Sequence, residues 1–373
     1  MKKQLLFLTI LFALTFPEVK ATIRTVSNNT GSPGQYTNLQ TAINIAAIGD
    51  TILVAGSTTS YGSITFGKPL VLIGAGYNNP YGSNTTIDQM ILTRQSYYIS
   101  ASGSKIMGFI FTATVGFKGV FSGGTTSSQT IDNVVIERSM FSSSSSFSFG
   151  YSGSISQTFN NDTIRNCLIN SNLTYYPYYS DGSQNLTHTF NNICIHNNIF
   201  NGSYISMGIN STYFNDCSRF YLRNNIFINR TSNCFSYVYN MIVENNIFYG
   251  AEPQGGTGCV FSKNLTYMCV NNTIPGTGNL GSGNKVNQNP QFVNYPVAGG
   301  AFSFSYNFQL QPTSPGKNAG TDGTDIGIYG GMMPYLVGAN PYVPQMMETT
   351  LPSGSSVPSG GTLNVHFKAG KQN

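Results

Sequence analysis

The sequence predicts an all-β chain, a right-handed parallel β-helix with a short N-terminal capping helix and an extended C-terminal tail ending in a strand. Three observations carry this. A strand-like unit recurs through the middle of the chain, most copies place asparagine at the same point, and no helical pattern separates the copies. Self-similarity at a period of 20–50 residues marks a solenoid.

The units align as Ile106-Met107-Gly108-Phe109-Ile110-Phe111, Ile136-Glu137-Arg138-Ser139-Met140-Phe141 and Ile164-Arg165-Asn166-Cys167-Leu168-Ile169. They continue as Ile195-His196-Asn197-Asn198-Ile199-Phe200, Leu222-Arg223-Asn224-Asn225-Ile226-Phe227, Val243-Glu244-Asn245-Asn246-Ile247-Phe248 and Cys269-Val270-Asn271-Asn272-Thr273-Ile274. Their first residues lie 30, 28, 31, 27, 21 and 26 positions apart. Apolar residues alternate ahead of the pair, as in Ile193 and Ile195 or Phe220 and Leu222, and a period of two turns them inward. Coils of this length can turn three short strands and restack in parallel, about 4.8 Å apart. Asparagine tolerates the left-handed backbone of a sharp corner, and stacked amides can bond from rung to rung. The Ile or Phe that follows returns inward. At the N-terminal end, Leu39, Ile43 and Ala46 share one face of a helix over residues 36–46. The first strands follow at 49–54, 64–66 and 70–76. Such a cap covers the core and edge that an open solenoid end exposes.

The extreme N-terminus reads as a cleavable export signal over residues 1–21: Lys2 and Lys3, an apolar run from Leu5 to Phe16, then small residues around Ala21. That run is too short for a permanent span, which needs roughly 20 apolar residues. No later segment is longer, so no transmembrane anchor is expected. Loss of the signal leaves 15 basic and 12 acidic residues, a net charge of +3 in place of +5. So small and scattered an excess offers nucleic acid no electrostatic footprint. Only 8% of residues are charged, yet 25 Phe and 23 Tyr supply a core, which excludes a disordered chain. Six cysteines (167, 194, 217, 234, 259 and 269) lack zinc-site spacing. In an exported chain they are structural thiols or one or two staples of unreadable pairing. The expected divisions are the signal, the β-helix over 22–299, a closing segment over 300–335, and a Pro-, Met-, Gly- and Ser-rich tail over 336–373.

The N-terminal segments resemble the opening of pectate-lyase-like right-handed β-helix proteins of bacterial envelopes. Asn289-Pro290-Gln291-Phe292-Val293, Phe308-Gln309-Leu310-Gln311-Pro312, Ser314-Pro315, Asn318-Ala319-Gly320 and Asp325-Ile326-Gly327-Ile328-Tyr329 are similar to the closing segment of that class. Together they cover residues 22–331. The resemblance implies the architecture and a secreted or cell-surface location; the same scaffold carries lyases, hydrolases, esterases and adhesins. Calcium-dependent pectate lyases need clustered acids and polygalacturonase-like hydrolases need several close Asp residues, and no rung supplies them. Gly34-Gln35-Tyr36 and Gln40-Thr41-Ala42 are similar to a pectinesterase start, but the Gln-Asp and Asp-Phe segments of those enzymes are absent. No catalytic residue transfers.

Candidate chemistry begins with the outward position after each aligned apolar residue, which holds Glu137, Arg165, His196, Arg223 and Glu244 in successive rungs. This column is either a ladder of opposite charges, each pair contributing about 0.2–1 kcal/mol, or a groove for an anionic polysaccharide. In a groove, Arg165 and Arg223 would hold carboxylates, and His196, kept neutral by its cationic neighbours, or an Arg would remove a proton next to a carboxylate. Tyr175, Tyr176, Tyr178 and Tyr179 lie in an insert between rungs, where they pack the loop or stack on sugar rings. Asp322 and Asp325 are turn residues or calcium ligands; no other cofactor is suggested. The terminal strand, 362–368, caps the β-helix or is donated to an export or anchoring partner. The expectation is a secreted or surface-displayed, non-catalytic protein that is structural, adhesive or glycan-binding. The alternative is a polysaccharide lyase or related enzyme acting on an anionic polysaccharide.

Overall fold

The structure is a computed structural model. It describes residues 21–31, 34–80, 82–94, 99–117, 129–149, 156–180, 185–208, 218–296, 300–336, 345–350 and 366–370, with 129, 178–180, 185–186, 345–350 and 366–370 described by backbone alone. Residues 1–20 of the segment expected to be an export signal, and Cys217, lie outside these residues.

Among the described residues, three long all-parallel sheets contain eleven, eight and seven strands. The eleven-stranded sheet runs from Ile23–Val26 to Leu280–Ser282, the eight-stranded sheet from Thr86–Ile87 to Leu265–Tyr267, and the seven-stranded sheet from Ile64–Phe66 to Phe235–Ser236. The chain visits the sheets in turn and so winds a right-handed parallel β-helix. Its N-terminal end is closed by the helix Leu39–Ile45, whose Leu39, Ala42 and Ile43 are buried, followed by buried Ala46. Asn38 caps it by accepting the Thr41 N–H at 2.9 Å.

Register confirms the repeat through its sixth copy. Ile106, Ile136, Ile164, Ile195, Leu222 and Val243 stand side by side in the eleven-stranded sheet. The seventh copy is corrected: Phe261, not Cys269, follows Val243. Cys269-Val270-Asn271-Asn272 only imitates the motif. Asn272 turns its amide back on Cys269, accepting its N–H at 3.2 Å and donating to its carbonyl at 3.1 Å, and Val270 is exposed.

Each residue of Asn-Asn-Ile-Phe has a different physical duty. The first Asn takes the left-handed corner, with φ of 54° at Asn166, 55° at Asn197, 53° at Asn224 and 57° at Asn245. The second is buried in an amide ladder. Asn225 Oδ1 accepts both the backbone N–H and the Nδ2 of Asn198, at 2.9 and 3.0 Å, and Asn246 does the same for Asn225. Asn264 and Asn284 continue the ladder beyond the sequence motif. The Phe faces the inner core, where Phe200, Phe227 and Phe248 stack at centroid separations of 4.4 and 4.9 Å. The Ile was expected inside, but it points the other way. Ile199, Ile226 and Ile247 join a second apolar cluster with Ile326, Ile328 and Tyr335 on the outside of the eight-stranded sheet.

That outer cluster explains the closing segment. Among the described residues the last strand of the eleven-stranded sheet is Leu280–Ser282, and Phe292–Asn294 pairs antiparallel with Asn307–Leu310. The chain then runs back along the helix as a strap held by the corner asparagines. Asn245 bonds Thr321, Asn224 reaches the Asp325 and Gly327 carbonyls, Asn197 reaches those of Ile328 and Gly330, and Asn166 that of Met333. Tyr335 finally hydrogen-bonds Tyr77. The terminal strand is His366–Gly370, and it pairs antiparallel with Gln345–Thr350, so its partner is this second tail strand.

Candidate functional site

The charged column exists as a column. Glu137 stands beside Arg165, Arg165 beside His196, His196 beside Arg223 and Arg223 beside Glu244. Its two ends differ in environment. Arg165 Nε donates to Glu137 Oε2 at 2.5 Å, and the two side chains are only 18% and 3% exposed. Arg223 Nε donates to Glu244 Oε2 at 2.9 Å with 45% and 22% exposure. The first pair is therefore a buried structural pair, in which removing one partner strands the other at a cost of about 3–5 kcal/mol. The second is open to a ligand, and its guanidinium also lies 4.5 Å over the Tyr221 ring.

Between the strap and the eleven-stranded sheet lies a groove of about 520 Å³. His196, Arg223 and Glu244 line it, with Cys194 and Tyr221 from the same strands and Asp322, Met332 and Met333 from the strap. Sequence reasoning missed this second outward column. Alternation carries the signal, because residues two places before His196 and Arg223 share their face, and those are Cys194 and Tyr221. The strap's position was not legible, since the corner asparagines hold it mostly through backbone groups that any sequence supplies.

The strap also fixes His196. Asn197 spends its Nδ2 on the Ile328 and Gly330 carbonyls, at 2.7 and 2.9 Å. Its Oδ1 must therefore be the atom 2.8 Å from His196 Nδ1. An amide oxygen only accepts, so His196 donates through Nδ1–H, and its Nε2 keeps a free lone pair. Burial lowers the His196 pKa; the Asn197 bond opposes this, while Arg165 and Arg223 add to it. Burial raises the Cys194 thiol, against the pull of Arg223.

Other expected site residues fall elsewhere. Tyr175 is a core residue and cannot meet a sugar. It is fully buried, stacked on Phe149 at 4.4 Å and edge-on to Phe190 and Phe220. Tyr176 is half-buried, and Tyr178 and Tyr179 belong to an antiparallel hairpin with Asn185–Thr187 inserted between rungs. Asp322 and Asp325 do not converge. Asp322 Oδ1 accepts from Thr324 N and Oγ1, while Asp325 pairs with Lys317 at 2.8 Å and accepts the Asn318 N–H. Both serve turns. Among the described residues no three His, Cys, Asp or Glu side chains gather around one metal position. The five described cysteines are free thiols. No described helix is long and apolar enough to cross a membrane.

No protein-family model matches this chain, and no curated protein matches it. Among solved structures, a rhamnogalacturonan lyase is similar at 10% identity with a TM-score of 0.34, covering 78% of this chain and 97% of that one. A similarity of that size carries nothing about the chemistry of this groove.

Proposed function

We propose that this chain is an exported, non-catalytic β-helix protein that binds a hydroxyl-rich glycan in the groove beneath its strap. The observation that supports this most is the self-pairing of the charged column. Arg165 is committed to Glu137 and Arg223 to Glu244, so neither guanidinium stands free to neutralise a uronate carboxylate. Arg223 and Glu244 remain accessible as adjoining planar donor and acceptor groups, the arrangement that suits sugar hydroxyls. Arg223 and Glu244 cancel, so Asp322 leaves the groove lining with one net negative charge, which favours uncharged over anionic sugars.

The direct test is retention of the protein on immobilised neutral and uronic-acid polysaccharides, comparing the parent with Arg223→Ala and Tyr221→Ala. A tenfold or greater loss of affinity in both variants, equivalent to about 1.4 kcal/mol, is the expected outcome. Retention that ignores both substitutions would move the ligand to another face.

One observation favours the lyase reading instead. His196 lines the groove with its pKa lowered and its Nδ1–H committed to Asn197, which leaves Nε2 as the unprotonated nitrogen a proton-abstracting base requires. That reading needs a cation or donor set to stabilise the carbanion next to a carboxylate, and the paired arginines withhold theirs.

A further inference from the structure

The groove lining brings together three sulfur-bearing side chains and one imidazole from two elements that are far apart in sequence. Cys194 and His196 sit two residues apart on the strand Ile193–His196, both on its outer face, while Ile193 and Ile195 fill the core. Two residues of strand separate their Cα atoms by about 7 Å. Metal bonds of roughly 2.3 Å to sulfur and 2.0 Å to imidazole nitrogen, added to the reach of both side chains, close such a gap. Met332 and Met333 line the same groove from the strap. Met333 is held at its backbone by Asn166, and the Met332 side chain is 96% exposed and free to turn inward.

We infer that the groove is a site for a soft monovalent metal ion, Cu(I), bound by Cys194 Sγ and His196 Nε2, with the thioethers of Met333 and Met332 completing the shell. Thiolate and thioether ligands select Cu(I), whereas the site offers Zn(II) a single thiolate and a single imidazole. The surroundings of His196 match this role. A ligating histidine commonly donates its second ring N–H to a fixed acceptor, which sets the tautomer; here Asn197 Oδ1 is that acceptor, itself aimed by the strap. On binding, the Cys194 S–H bond breaks, a sulfur–metal bond forms and one proton leaves to solvent, with no change of oxidation state. The thiolate and the monovalent ion cancel, so the half-buried site gains no net charge. The strap would then act as a clasp, since two ligands lie on the sheet and two on the returning chain.

The inference does not rest on the glycan reading. The reduced, metal-free full chain is titrated with Cu(I) against a chromophoric Cu(I) chelator under nitrogen. One equivalent should bind. Cys194→Ser and His196→Gln should each weaken it by tenfold or more, and the double variant Met332→Leu, Met333→Leu by a smaller factor, while Zn(II) should not displace it. Equal affinity in Cys194→Ser or His196→Gln, or displacement by Zn(II), overturns the site. If a variant fails to fold, X-ray absorption of the copper-loaded parent decides. A mixed shell of sulfur and one imidazole nitrogen supports the assignment, and a shell of sulfur alone refutes it. Sugar retention measured on the metal-free protein separates the two ideas, because either can fail while the other stands.

Discussion

Replacing Asn225 by alanine removes one amide from the middle of the inner ladder. In the native chain that side chain accepts the Asn198 N–H at 2.9 Å and Asn198 Nδ2 at 3.0 Å, and its own Nδ2 donates to Ile195 O and Arg223 O, both at 2.9 Å. Asn198 Nδ2 keeps a partner in Ile164 O, so the group left stranded is the Asn198 backbone N–H. An orphaned buried donor costs about 1–3 kcal/mol, and the Ile195 carbonyl also loses a donor. The expected loss is roughly 3 kcal/mol in all, or about a hundredfold faster hydrogen exchange at Asn198. Urea denaturation reports the first and amide exchange the second. Asn224→Ala is the control one residue away. Asn224 makes only long strap contacts of 3.3 and 3.4 Å, and its left-handed corner costs alanine about 1–2 kcal/mol. Its effect should be smaller and should loosen the strap instead of Asn198. Equal losses in the two variants, or unchanged exchange at Asn198 in Asn225→Ala, would refute the division of duties within the motif.

Three further outcomes follow from buried groups and from the tail. Burial pulls the pKa of His188 down to about 4. Its native pKa lies below its unfolded value, so stability falls as pH drops from the unfolded value toward 4, by at most about 3 kcal/mol. His188→Asn, which keeps an acceptor for the Gln157 N–H, should flatten that acid limb in melts between the two values; an unchanged limb contradicts this. Burial holds the Asp162 carboxyl well above the usual range, and its Oδ2 has no partner. A raised native pKa costs stability as pH climbs past the ordinary carboxylate value, so Asp162→Asn should raise Tm at neutral pH and lose its advantage below about pH 4. A lower Tm at neutral pH would show that the charge is compensated. Deleting residues 337–373 should leave the far-UV spectrum of the β-helix intact, because the terminal strand pairs with Gln345–Thr350 of the same tail. Loss of the β signal in that variant would show that the tail caps the coil.

The scaffold was legible because its rules are periodic. Alternation placed Ile136, Ile164, Ile195, Leu222 and Val243 in one column, and pairing confirms every step. The same periodicity aligned Glu137, Arg165, His196, Arg223 and Glu244. What periodicity could not show is which face of a sheet a later segment covers. Ile199 follows the ladder asparagine and reads as core by composition, yet it lies outside the coil because the strap brings Ile326 and Ile328 to cover it. Glu137 faces outward and is still buried, while Tyr175, read as an insert residue, packs within the rungs. Cys269-Val270-Asn271-Asn272 matched by letters alone, because a local turn and a ladder rung both use asparagine amides.

The groove as a binding site, not a reaction centre, is tested most directly by incubating the parent, Arg223→Ala and His196→Ala with the polysaccharide that the parent retains, and with uronic-acid polysaccharides. Unsaturated product and retention are measured together. The account predicts retention by the parent, weakened in Arg223→Ala, with no product from any of the three proteins. Product from the parent that disappears in His196→Ala would contradict it and establish His196 as a base.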